Sequence, residues 1–101
     1  MGHCITADID ETSTAGHVAW YERGAFNSEE VKTQLYRALN AMECYGGCSG
    51  NGGQVKRDYF QISEALTKAE VEDMEENVII FLNQCLNVFS SRITEIYIHF
   101  G

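Results

Sequence analysis

The sequence is short of basic residues, has no long apolar run and contains no recognisable catalytic signature. Its longest continuous apolar stretch, residues 78–82, falls far below the roughly 20 residues that a membrane-spanning helix needs. The N-terminus lacks a charged region followed by an apolar run, which is the pattern of a secretory signal peptide. We therefore expect a soluble cytoplasmic protein whose four cysteines are reduced thiols.

The shortage of basic residues gives the chain a strong negative charge. Fifteen Asp and Glu residues against seven Lys and Arg residues leave a formal net charge of −8. A field of that sign repels phosphate backbones and attracts basic surfaces, so direct binding to nucleic acid is disfavoured and a basic protein partner is permitted. Solubility alone also explains the charge, because a charged surface keeps small proteins from associating.

The 101 residues are enough for one domain with one core. The spacing of apolar residues predicts the order β-β-α-β-α-β, with strands over residues 2–10, 17–22, 54–63 and 92–100 and helices over residues 28–45 and 67–89. Each helix has one apolar stripe, which predicts a two-layer α+β sandwich of about four strands with both helices on one face. The last strand is apolar enough to be central. The strand order stays open, and a parallel pair is permitted.

The second predicted helix, residues 67–89, is the segment around which this fold is organised. Thr67, with Glu70 three residues later, matches a capping box and places the start of the helix. Its predicted buried stripe consists of apolar residues at three- and four-residue spacing: Val71, Met74, Val78, Leu82, Cys85 and Phe89. The opposite side is acidic, with Ile80 as an isolated apolar residue among polar ones.

That acidic side and a second acidic group near the N-terminus form the predicted partner-binding surface. The candidate residues are Glu72, Asp73, Glu76, Ile80, Asp8, Asp10 and Glu11. An apolar residue surrounded by acids and amides is typical of a small interface anchor, although single exposed apolar residues are also normal. Immunity proteins, anti-restriction proteins and phage-encoded inhibitors are similar in size and charge, and the similarity is one of composition only. We therefore expect a small acidic inhibitor of a basic nuclease or nucleic-acid-binding effector.

The cysteines suggest an alternative of a different class. Cys44 and Cys48 are spaced C-x3-C, and with His3 and Cys4 they provide four ligands of the type that zinc prefers. Strong zinc signatures have two short cysteine pairs, whereas this chain has one. A thiol- or zinc-dependent small enzyme or sensor stays an alternative, and no metal, cofactor or catalytic residue is predicted.

A Gly-rich segment, residues 46–53, separates the first helix from the third strand. A phosphate-binding loop needs a strand before it and a helix after it, and here the order is reversed. We expect Gly46 to end the first helix in a left-handed turn and the rest of the segment to be a flexible connection. A further alternative is a homo-oligomer, in the simplest case a homodimer, that pairs strand edges or helix faces.

Overall fold

The computed structural model of the chain describes residues 3–11, 16–23, 28–47 and 49–101. Its strands are β1 (His3–Asp8), β2 (His17–Arg23), β3 (Gln54–Asp58) and β4 (Glu95–Phe100). Its helices are α1 (Glu29–Ala38), α2 (Tyr59–Val71) and α3 (Glu76–Leu86), and a 3₁₀ turn covers Met42–Cys44. Among the described residues, no helix combines the length and the apolar character needed to cross a lipid bilayer.

In the described part of the chain, the four strands form one sheet in the order β2-β1-β4-β3, and every neighbouring pair is antiparallel. β4 therefore lies inside the sheet, as predicted, and its side chains Ile96, Ile98 and Phe100 are fully buried. These alternate with Tyr97 and the exposed His99, so only one face of β4 is covered. The helices pack on the covered face, which confirms the predicted two-layer α+β sandwich.

Aromatic rings connect the two layers. Tyr36 of α1 stacks on Phe100 of β4 with ring centroids 4.8 Å apart, and Tyr21 of β2 meets Phe81 of α3 edge-on at 6.5 Å. Full burial of a side chain of phenylalanine size contributes about 1.5–3 kcal/mol, and a well-placed aromatic pair adds about 0.5–1.5 kcal/mol. These contacts hold α1 over the centre of the sheet and α3 over its β2 edge.

Residues 67–89 form the end of one helix and the whole of another, so the prediction of a single helix is wrong. α2 begins earlier, because Asp58 and Gln61 form the capping box: each side chain accepts the backbone N–H of the other at 2.9 Å. This cap also ends β3 at Asp58, short of the predicted residue 63. Thr67 lies inside α2, where its hydroxyl donates to the carbonyl of Ser63 at 3.1 Å.

Asp73 ends α2 with a left-handed backbone conformation, at φ 53°. The N–H of Met74 donates to the carbonyl of Ala69 at 2.8 Å, and the N–H of Asp73 donates to the carbonyl of Glu70 at 3.2 Å. This pair of hydrogen bonds is the Schellman motif, which satisfies the last carbonyls of a helix and turns the chain away. α3 therefore starts in a new direction.

The turn at Asp73 changes one part of the predicted core. Val71 lies on the outer side of α2 and is 79% exposed, so its predicted place in the core is wrong. Met74, Val78, Leu82 and Cys85 are buried as predicted, because the 3.6-residue period continues through α3. Residue 89 is beyond the end of α3 and is partly buried.

α1 ends in the same kind of turn. Asn40 has φ 57°, its N–H donates to the carbonyl of Arg37 at 3.2 Å, and the N–H of Ala41 donates to the carbonyl of Tyr36 at 2.8 Å. The predicted helix end at Gly46 is therefore wrong. Asparagine and aspartate accept the left-handed conformation better than other residues with a side chain, and both helices use one of them in place of glycine.

Part of the Gly-rich segment 46–53 is hydrogen-bonded along the end of β4, and the flexibility of the segment stays a prediction. The N–H of Gly50 donates to the carbonyl of Gly101 at 3.1 Å, and the N–H of Gly52 donates to the carbonyl of Phe100 at 2.8 Å. The backbones approach so closely that a Cβ on Gly50 would lie 2.6 Å from the Phe100 carbonyl. Glycine at position 50 therefore allows the segment to pack directly against the backbone of β4.

We predict that Gly50→Ala lowers the free energy of unfolding by about 1–3 kcal/mol, because the backbone must move to admit the methyl group. Urea denaturation measures the change. Gly101→Ala is the matched control, since its Cβ would meet no atom closer than 3.5 Å, and we expect a change within about 0.5 kcal/mol. Equal stabilities of the two variants would contradict the close packing at Gly50.

Candidate functional site

The turn between α2 and α3 carries the densest group of carboxylates in the chain. We call this group the acidic corner: Glu70, Glu72, Asp73, Glu75 and Glu76. The Schellman turn at Asp73 holds one side of it. On the other side, the backbone N–H of Glu75 donates to the side-chain oxygen of the buried Gln34 of α1 at 2.8 Å. Hydrogen bonds to two different helices therefore fix the backbone of the corner.

Most of the acidic corner is open to solvent. Glu70, Glu72, Asp73 and Glu76 are exposed, and Glu75 is partly buried. Arg37 Nη1 lies 3.2 Å from Glu72 Oε1, with the two side chains 34% and 40% exposed, so this ion pair contributes at most about 1 kcal/mol. Among the described residues, no cation lies within 4.0 Å of the carboxylate of Asp73 or Glu76.

Ile80 lies one helical turn after Glu76, on the same side of α3, and is 44% exposed. The side chains that follow on this side, Asn83 and Gln84, are exposed and polar. The sequence therefore predicted correctly that Glu76 and Ile80 share a solvent-facing side. Glu72 and Asp73 belong to the turn before α3 and not to the same helix as Glu76 and Ile80, which differs from the prediction.

The second predicted acidic group does not form a surface of three carboxylates. Asp8 is fully buried, and its Oδ1 lies 2.7 Å from Nδ1 of His17 on the neighbouring strand. Its side chain alternates with that of Ala7 and so lies on the face of the sheet opposite to the helices. Asp10 is partly buried and Glu11 is exposed. Asp8 is therefore removed from the predicted surface.

The pair of Asp8 and His17 is a feature that sequence reasoning missed, because it depends on strand register. Trp20, 54% exposed, meets the His17 ring edge-on with centroids 5.4 Å apart. A buried carboxylate that orients a histidine is an arrangement that general bases use. Among the described residues, no hydroxyl or thiol makes a hydrogen bond to His17.

Of the three cysteines that the structure describes, Cys44 and Cys85 are buried and Cys4 is partly buried. Cys44 is 3% exposed, and burial, with the nearby Glu43 carboxylate as a smaller cause, raises the pKa of its thiol. Burial raises the pKa of Cys85 to about 12. Cys48 and the side chain of His3 lie outside the described residues. Within the described residues, no group of three or more His, Cys, Asp or Glu side chains is placed to hold a metal ion.

The structure also has an exposed aromatic groove, part of which lies in residues that the sequence pattern places in a strand. Tyr59 and Phe60, 50% and 78% exposed, lie in the first turn of α2, and Phe89 contacts Tyr59 edge-on at 5.7 Å. With Ile93 they line a groove of about 480 Å³. The capping-box pair that starts α2 was the signal in the sequence that would have placed these aromatic residues in a helix.

Comparison of the chain with models of protein families, with curated proteins and with solved structures finds no match in any of the three.

We predict that the effect of a substitution at Asp73 on stability depends on how well the new residue adopts positive φ. Asp73→Gly should raise the free energy of unfolding by up to about 1 kcal/mol, since glycine adopts positive φ freely. Asp73→Val should lower it by about 1–2 kcal/mol, because its branched side chain is strained there. Asp73→Asn is the control, because asparagine removes the charge and still adopts the left-handed conformation readily. Chemical denaturation that finds the valine and asparagine variants equally stable would contradict the left-handed turn.

We predict that Cys44 and Cys85 stay unlabelled when the folded protein is treated with iodoacetamide, because both thiols are buried and protonated. Raising the pH from about 7 to about 9 should leave Cys85 unreactive, since its raised pKa still keeps it neutral. Peptide mass spectrometry locates the label, and labelling in denaturant is the control. Rapid modification of Cys44 in the folded protein would favour the thiol-dependent alternative.

Proposed function

We propose that this chain is a small acidic protein that binds a basic nuclease or nucleic-acid-binding protein and blocks it. The observation that carries the proposal is the acidic corner, where Glu72, Asp73 and Glu76 are exposed on a turn fixed by backbone hydrogen bonds. The nearby Ile80 adds an exposed apolar side chain on the same side of α3.

The charge of the chain favours association with such a partner. A net charge of −8 attracts a basic surface over the distance of the Debye length, which is about 8–10 Å at ordinary salt concentrations. This long-range attraction raises the association rate and is weakened by salt. Asp10 and Glu11 contribute to this field, while the contact itself is assigned to the corner.

The geometry of the corner suits binding at low entropic cost. The hydrogen bonds at Asp73 and Glu75 hold the backbone before the partner arrives, so less conformational entropy is lost on binding. The carboxylates then meet lysine and arginine side chains that otherwise hold phosphate groups. Ile80 enters the interface as an anchor, where its exposed surface is removed from water. A partner covered in this way cannot bind nucleic acid with the same surface.

The proposal predicts that three charge-removing substitutions at the corner, Glu72→Gln, Asp73→Asn and Glu76→Gln, abolish partner binding and leave the fold intact. All three side chains are exposed, and the asparagine keeps the left-handed turn. The measurement is recovery of basic proteins from the native host by the immobilised protein at low salt, followed by elution at high salt. Circular dichroism and a denaturation curve establish that the variant is folded.

The matched control replaces three other exposed acids: Glu22→Gln, Glu29→Gln and Glu43→Gln. It changes the net charge by the same amount, and Glu29, like Glu76, lies in the first turn of its helix. If the control loses the partner as completely as the corner variant, net charge and not the corner is responsible. Recovery of no basic protein by the unaltered chain at low salt would reject the proposed function itself.

A further inference from the structure

A groove of about 700 Å³ lies between the C-terminal end of α1 and α2, beside the acidic corner and with the opposite charge. Its buried floor includes Leu39 and Ala65, and Arg37, Arg57 and Lys68 line its walls. Pockets for small ligands typically measure about 300–1,000 Å³. Three of the seven lysine and arginine residues of an acidic chain thus line one concave surface.

Backbone carbonyls at the end of α1 hold the cations in place. Arg57 of β3 donates from Nε to the carbonyl of Leu39 at 3.1 Å and from Nη2 to the carbonyl of Asn40 at 3.3 Å. Lys68 Nζ donates to the carbonyl of Arg37 at 3.0 Å. These bonds cap the helix and complement its dipole. Arg57 Nη1 also donates to the carbonyl of Lys56 at 2.9 Å. Arginine has five N–H donors and lysine three, so two donors on each side chain remain after these bonds among described residues are counted.

The positive charge of the groove is not balanced by carboxylates. Arg37 is paired with Glu72, and Glu64 also lines the groove. In the described ranges of the chain, no carboxylate oxygen lies within 4.0 Å of a nitrogen of Arg57 or Lys68. Arg57 is also partly buried, and a guanidinium that is shielded from water attracts an anion more strongly than one on an open surface.

We propose that this groove binds a small organic oxyanion, with a phosphate or carboxylate head on Arg57 and Lys68 and an apolar body over Leu39 and Ala65. The second N–H of Arg57 Nη1 and that of Nη2 can donate to an oxygen of either head group, and the lysine adds a compact charge. The side-chain amide of Asn40 lies at the rim, where it can bond a polar substituent. The site uses none of the proposed contacts of the acidic corner with a protein partner.

Pyrophosphate and citrate are the probes, each titrated into the full chain at constant ionic strength with sodium chloride as the reference salt. We expect saturable shifts of the backbone amide resonances of residues that line the groove, including Asn40, Gln61 and Lys68. Saturation by pyrophosphate alone assigns a phosphate-bearing ligand, and saturation by citrate alone assigns a carboxylate. Saturation by both supports the shared oxyanion chemistry.

Lys68→Gln tests the contact, because it removes the positive charge and keeps a polar side chain on α2. We expect the dissociation constant of the binding probe to rise roughly tenfold, and Lys68→Arg to restore it to within a few-fold. Lys56→Gln is the matched control, since Lys56 is an exposed lysine on the other face of the sheet. Arg57 is left unchanged because it bonds two carbonyls at the end of α1, whereas Lys68 bonds one.

Two results would overturn the proposal. One is the absence of saturable binding of either probe to the unaltered chain, which would mean that the cations only cap α1. The other is an equal loss of binding in the Lys68→Gln and Lys56→Gln variants, which would mean that the anions respond to net charge and not to the groove. Neither result bears on the acidic corner, whose test uses a protein partner and other substitutions.

Discussion

The left-handed backbone at Asp73 is the constraint on which the helical layer depends. A continuous helix over residues 67–89 would be about 34 Å long, whereas a six-residue strand spans about 20 Å. The far end of such a helix would have no sheet to cover. The Schellman turn lets the chain reverse, so that α2 and α3 lie side by side and each buries its own apolar stripe. The acidic corner is the outer surface of that turn.

The same turn brings opposite charges close together without cancelling them. Arg37 and Glu72 form an exposed ion pair at the boundary between the acidic corner and the basic groove. On the corner side, carboxylates point to solvent from a turn and from the first turn of α3. On the groove side, the cations are held by the free carbonyls of α1. The net charge of the chain does not account for either surface. The acidic corner forms where α2 ends and α3 begins, and the basic groove forms where α1 ends.

The two predicted acidic groups had different outcomes because they depend on different kinds of contact. Exposure of Glu76 and Ile80 follows from the local period of a helix, which can be read from neighbouring residues. The environment of Asp8 depends on the strand register, which places it opposite His17 on the next strand and opposite Tyr97 on a strand distant in the sequence. A strand pattern assigns a side chain to a face, but it does not say whether that face is covered.

The sequence by itself determined the order of the four strands along the chain, the two-layer α+β architecture, the central place of β4 and most of the core of α3. These properties follow from hydrophobic periodicity, which is local and repeated. Only the tertiary structure decided where the helices end. At Asn40 and Asp73 a left-handed turn competes with continuation of the helix. The turn is favoured because the chain that follows it can then pack on the sheet. The tertiary structure also decided that Asp8 is buried and that three cations share a groove, since the first depends on the register of the strands and the second on the packing of α1 beside α2.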